Sequence, residues 1–211
     1  QENFLSLSGR GLISSRKKIQ MIFQDPFGSL NPSQTVGFML MRGLELQGVD
    51  TIEAKDRAIE LLQQVGLGEQ AFKRKPRNFS GGQRQRIGIA RALSMGPDVI
   101  VADECVSALD LSVQKQVLLL LNDLQKTYQM AIIFITHDLR VAAQVSDYIT
   151  VMEKGKMVEF GTASDVFNQP KHEYTKRLLE AAPGRDWHPP RLSAEEAAEI
   201  AKSLEESSLE Q

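Results

Sequence analysis

The sequence predicts an α/β fold with a largely parallel sheet, on three observations. Ile19-Gln20-Met21-Ile22-Phe23, Val99-Ile100-Val101-Ala102 and Ala131 to Ile135 are apolar runs of strand length, too short to be helices. The segments between them carry helix caps and helical periodicity, and strands alternating with helices imply parallel pairing through crossovers. Polar residues with chemical potential follow each run, and open parallel sheets gather ligands at the carboxyl ends of their strands.

Each element has its own local signal. Residues 1–18 are polar, glycine-containing and basic at their end. After the first strand, Gln24-Asp25-Pro26 and Asn31-Pro32 mark a loop, and a helical region follows. Asp50-Thr51-Ile52-Glu53 has capping-box form, with Ile59, Leu62 and Val65 on one face and Gly66 as the stop. A basic loop, Lys73-Arg74-Lys75-Pro76-Arg77, leads to Ser80, the natural cap of a helix running to about Leu93 and closed by Gly96-Pro97. Asp110 caps the helix that carries Val117, Leu118, Leu121 and Leu124. Past the third strand come Thr136-His137-Asp138, a further helix, a hairpin turning at Lys154-Gly155, and a short helix over His172 to Ala182. Pro183-Gly184 and Pro189-Pro190 break the chain, and 193–211 is an Ala/Glu-rich acidic segment, either helical or disordered.

Composition excludes several classes. With 211 residues the chain is long enough for one domain with a real core, and a formal net charge of −2 offers no global attraction to nucleic acid. One cysteine, Cys105, rules out an internal disulfide framework and suits a reducing compartment. No apolar run approaches a membrane span. The chain opens on Gln1 rather than Met and is read as a cut end.

The strand assignments alone bring Gln24, Asp103, Glu104 and His137 to one rim. An apolar strand ending in Asp103-Glu104 offers one carboxylate for Mg²⁺ and a second to orient and deprotonate water, although a solvated strand end has the same appearance. Ser80-Gly81-Gly82-Gln83 sets a hydroxyl and two glycines at a helix start, which is either an anion site or an ordinary capped loop. Arg84, Arg86 and Arg91 continue that helix, as a solvated face or as charges that favour an anion. Gln24 at a strand end can touch metal and water together. His137 can reach a terminal phosphate or be structural, and Ser107 to Asp110 also fits a turn and cap.

In order and spacing these elements resemble the ABC ATPase family. Gln24 corresponds to its Q-loop, Ser80-Gly81-Gly82-Gln83 to its signature, Asp103-Glu104 to its Walker B pair, Ser107 to Asp110 to its D-loop, and His137 to its switch histidine. The match runs from about Arg16 to Pro183. Within the family, Gln24-Asp25-Pro26-Phe27-Gly28-Ser29-Leu30-Asn31-Pro32 and Asn168-Gln169-Pro170 through Leu179 look like the oligopeptide/dipeptide importer subfamily, whose members import peptides, glutathione or nickel. Four positions depart from the pattern. Cys105 and Val106 stand for the usual proline and threonine, Phe79 for leucine and Glu173 for proline. No G-x-x-x-x-G-K-[ST] phosphate-binding loop occurs, and Gly155-Lys156-Met157 does not supply one.

The resemblance implies a P-loop ATPase type of α/β fold, incomplete at its N-terminus. The ATPase domain would cover 1–183, with a helical subdomain over about 33–95, and 184–211 would be a C-terminal extension. ATP and Mg²⁺ would be the ligands: Asp103 and Gln24 at the metal, Glu104 as general base, and His137 at the γ-phosphate. Ser80, Gly81, Gly82 and Gln83, with Asp110, would lie on ATP held by a second cassette, identical or homologous. Transmembrane permease subunits and an upstream substrate-binding protein would be the other partners, at the cytoplasmic face of the inner membrane. The 211 residues alone would be inactive. Two alternatives stay open: a non-transport ABC ATPase of DNA repair or translation, and a partner-binding fragment that hydrolyses nothing.

Overall fold

A computed structural model describes Ser6 and residues 8–181. The chain divides into two compact units, the first ending at Ile135 and the second beginning at Thr136.

In the first unit, helix α1 (Gly9–Lys18) feeds strand β1 (Ile19–Ile22), which is followed by the short helix α2 (Pro26–Ser29), α3 (Val36–Glu45), α4 (Thr51–Gln64) and α5 (Gly81–Leu93). Strand β2 (Val99–Asp103), helix α6 (Leu111–Tyr128) and strand β3 (Ala131–Ile135) complete it. The sheet has the order β1-β2-β3 and is parallel throughout, with Ile22 level with Ala102 and Asp103 level with Ile135. Ile22, Ile100 and Ala102 are buried in the sheet, while Leu40, Leu62, Val65, Ile87, Ile89 and Val117 bring the helices onto the core.

The expected strands and caps are present. Asp50 accepts from the backbone N–H groups of Ile52 at 2.8 Å and Glu53 at 3.3 Å. The Glu53 carboxylate, read from sequence as the other half of a capping box, is taken by Arg57 one turn on. Two elements exceed the expectation. Residues 9–18 form α1, whose last turn carries Arg16, Lys17 and Lys18, charges that complement a helix carboxyl end; Lys17 also donates to the Leu46 carbonyl. In the loop after β1, Pro26 opens α2, a position where its missing N–H costs nothing.

The second unit holds α7 (Leu139–Val145), the antiparallel pair β4 (Tyr148–Glu153) and β5 (Lys156–Thr162), α8 (Ala163–Asn168) and α9 (Glu173–Ala181). Lys154 and Gly155 both have positive φ, as a two-residue hairpin turn of the primed kind requires. Ile149, Val151 and Val166 form its core, with Phe167, Tyr174 and Leu178 against it. The acidic segment 193–211 lies outside the described residues.

Candidate active site

Register builds the centre of the site. Ile22 of β1 pairs with Ala102 of β2, and Gln24 and Glu104 each follow two residues later, past the ends of adjacent strands. The Gln24 side-chain amide donates to a Glu104 carboxylate oxygen at 2.9 Å, across 80 positions of sequence. Asp103 ends β2, half-buried, and Glu104 follows it with its backbone N–H donating to the Ile135 carbonyl at 2.9 Å. Glu104 has φ +43°, a left-handed conformation unusual for a residue with a side chain and concentrated at functional sites. Ser107 stabilises it: its N–H at 3.1 Å and its hydroxyl at 2.9 Å both donate to the Glu104 carbonyl. The chain then reaches Asp110, whose carboxylate accepts from the Val113 N–H at 3.0 Å and caps α6.

The second cluster is the start of α5. The Ser80 hydroxyl accepts from the Gln83 N–H at 3.3 Å, and the Gln83 side chain accepts from the Ser80 N–H at 3.0 Å, a complete capping box. A side-chain carbon at Gly81 would meet nothing within 4 Å, whereas one at Gly82 would lie 2.4 Å from Val113 Cγ1. The starts of α5 and α6 are therefore neighbours, which brings Ser80, Gly81, Gly82 and Gln83 close to the Asp110 cap.

The arginines that follow are not a field aimed at an anion. Arg84 donates to the Pro76 carbonyl at 2.8 Å and holds the preceding loop. Arg86 is buried and donates to the Val65 carbonyl at 2.9 Å and to Gln116 at 3.0 Å. Arg91 donates to the Ser29 carbonyl. Burial lowers the pKa of both Arg86 and Arg91. Read as a solvated or anion-facing stripe, α5 is instead surrounded by packed elements, and its arginines satisfy backbone carbonyls.

His137 belongs to the second unit, two residues past the end of β3. Beside it Asp138 caps α7 through the Arg140 N–H at 2.9 Å and pairs with the Arg140 guanidinium, which holds its carboxyl below the usual range.

Oxygen donors at a strand end suit Mg²⁺, which is usually held by one or two carboxylates plus substrate phosphates rather than by a protein cage. Asp103 and Gln24 fit that donor set. Among the described residues no group of three or more His, Cys, Asp or Glu side chains is arranged as a cage.

A family model described as ABC transporter matches residues 5–107. Oligopeptide transport ATP-binding protein OppF of Bacillus subtilis is 47% identical over 178 residues, covering 83% of this chain and 58% of the relative. OppF of Lactococcus lactis is 49% identical over 84% of this chain and 56% of its own length. Glutathione import ATP-binding protein GsiA of Pectobacterium atrosepticum is 46% identical over 85% of this chain and 29% of its own. The chain thus spans little more than half the length of its OppF relatives. Among solved structures, a dimeric ATP-binding cassette in a post-hydrolysis state with ADP and Pi superposes with a TM-score of 0.65 at 30% identity, covering 75% of this chain and 68% of that one. The cbiO1 protein of Clostridium perfringens, part of an ABC transporter complex, gives 0.70 at 27% identity, covering 83% and 68%. The chain belongs to the ABC transporter family, and its α/β fold with a parallel sheet is that of an ATP-binding cassette.

Sequence reasoning missed Val113 and Gln116, which join α6 to the start of α5. Each is an unremarkable helix residue in the sequence, and only the helix pairing gives it a partner.

Proposed function

We propose that this chain is the larger part of a cassette that binds and hydrolyses ATP to drive an importer for peptides or a related small solute. The observation that carries the reading is the Gln24–Glu104 hydrogen bond of 2.9 Å at the carboxyl edge of the sheet. It joins the Gln24 amide to the Glu104 carboxylate, which supports a reading in which the first follows the nucleotide and the second acts on water. The kinship with OppF and GsiA supports import as the coupled process.

In this reading the Glu104 carboxylate orients the attacking water and accepts its proton as the γ-phosphoryl group departs in line. Asp103 and Gln24 would hold Mg²⁺, which neutralises charge on the phosphate oxygens when bound. His137 donates to the γ-phosphate. The 211 residues contain no G-x-x-x-x-G-K-[ST] loop, so turnover needs phosphate contacts from outside them. The Ser80–Gln83 capping box holds the turn beside Asp110, and Gly81 and Gly82 within it present their N–H donors, with the Ser80 hydroxyl, to ATP on a second cassette. The helical segment between Gln24 and Ser80 would meet permease subunits, with a substrate-binding protein delivering solute to them. Among the described residues no helix is long and apolar enough to cross a membrane. The kinship with import ATP-binding proteins supports a peripheral position at the cytoplasmic face of the inner membrane.

Glu104→Gln in the full-length protein keeps size and removes the charge. It is expected to preserve ATP binding and slow phosphate release by on the order of 10²–10⁴-fold. Wild-type turnover by this variant would remove Glu104 from the role of base.

A further inference from the structure

Gly82 and Val113 meet more closely than any substitution at Gly82 would allow. A Cβ on Gly82 would lie 2.4 Å from Val113 Cγ1 but 3.7 Å from Val113 Cβ, an ordinary contact. The obstruction is therefore one methyl group. It does not swing aside cheaply, because a helical valine holds one strongly preferred rotamer. The same residue acts on its other side, where its backbone N–H donates to Asp110 at 3.0 Å.

One turn along the seam a second contact repeats the pairing. Arg86, four residues past Gly82, donates at 3.0 Å to Gln116, three residues past Val113. Spacings of three and four keep each pair on a single helix stripe. Arg86 also reaches the Val65 carbonyl at the end of α4, so its orientation is held from two directions.

We propose that Val113 is a positioning residue: it holds the Asp110 cap through its N–H and sets the approach of the Ser80-Gly81-Gly82 turn through its Cγ1 methyl. Arg86 and Gln116 lock the register, so the two motifs that face a second cassette move as one block. The proposal rests on the reading that the Ser80-Gly81-Gly82 turn receives a partner's ATP.

The test is steady-state ATP hydrolysis and thermal melting of the full-length protein. Gly82→Ala is expected to lower kcat by about 10-fold or more, since small misplacements at a site are costly, and to leave KM for ATP within about 2-fold. Val113→Ala removes the obstructing methyl, so the double variant Gly82→Ala/Val113→Ala should return to within about 3-fold of wild-type kcat. Wild-type kcat for Gly82→Ala, or a double variant that melts normally yet stays as slow as Gly82→Ala, overturns the proposal. Melting that falls while kcat per folded molecule is unchanged reduces Val113 to a packing role and overturns it too. Should Gly82→Ala not fold, Gln116→Leu serves: a drop in kcat at constant KM supports the block, and unchanged kcat sinks it. Gly81→Asp separates the two levels. An ATP-driven dimer that survives Gly81→Asp defeats the reading of the turn itself, whereas a lost dimer with no rescue by Val113→Ala defeats only the role of Val113.

Discussion

Cys105 follows Glu104 directly in the chain and behaves in the opposite way. It is 2% exposed, and burial above all, with the charge of Asp103 adding to it, pushes its thiol up to about 12. Only about one thiol in 10⁴ is then ionised at pH 8, against roughly a quarter for an ordinary cysteine. A disulfide-exchange reagent is expected to label native Cys105 at least about 100-fold more slowly than the urea-unfolded protein; equal rates would refute its burial. The folded state resists forming the thiolate, so this contribution to stability is complete below the unfolded thiol's pKa of about 8.5 and is lost as pH rises through the folded value. One backbone turn thus separates a residue kept inert from a carboxylate held at the sheet edge by a left-handed conformation and the Ser107 hydroxyl.

At the scale of elements, one device recurs with two uses. Asp50 and Asp110 each cap a helix by accepting backbone N–H groups, and each cap contributes about 1 kcal/mol. Asp50 opens α4 with none of the candidate site residues beside it in sequence, whereas Asp110 stands where α6 meets the start of α5. Asp50→Ala and Asp110→Ala should therefore cost similar stability, about 1 kcal/mol each by urea unfolding. Only Asp110→Ala should also depress ATP hydrolysis. Equal losses of activity in the two variants would mean that Asp110 acts by capping alone. The arginines of α5 make a related point. Their charge suggests solvent or an anion, yet Arg84, Arg86 and Arg91 donate to the main-chain carbonyls of Pro76, Val65 and Ser29.

For the whole molecule the sharpest question is whether two cassettes meet through the Ser80 turn. A side chain at Gly81 would have open space around it, so Gly81→Asp should fold normally and bind ATP. A carboxylate there would face incoming phosphates, and repulsion of about 4 kcal/mol at roughly 4 Å and an effective dielectric near 20 is ample to oppose closure. In a Glu104→Gln background the ATP-dependent dimer should vanish from size-exclusion chromatography. A well-folded Gly81→Asp protein that still dimerises with ATP would contradict the assignment of the turn.

Local elements and family membership can be read along the linear chain. The strands at 19, 99 and 131, the caps at Asp50, Ser80 and Asp110, and the order of Gln24, Ser80, Asp103, Glu104 and His137 are legible because each depends on neighbouring residues or on fixed spacing. Helix α1 was hidden because its glycines and polar residues carry no apolar periodicity, and its support comes from the charges of its last turn and the Leu46 carbonyl. Tertiary structure alone decided what depends on register and on helix pairing. That Gln24 meets Glu104 follows from Ile22 opposite Ala102, and that Gly82 must lack a side chain in this packing follows from a methyl 31 positions away. Register and close packing are properties of two segments at once, and a linear pattern records only one segment at a time.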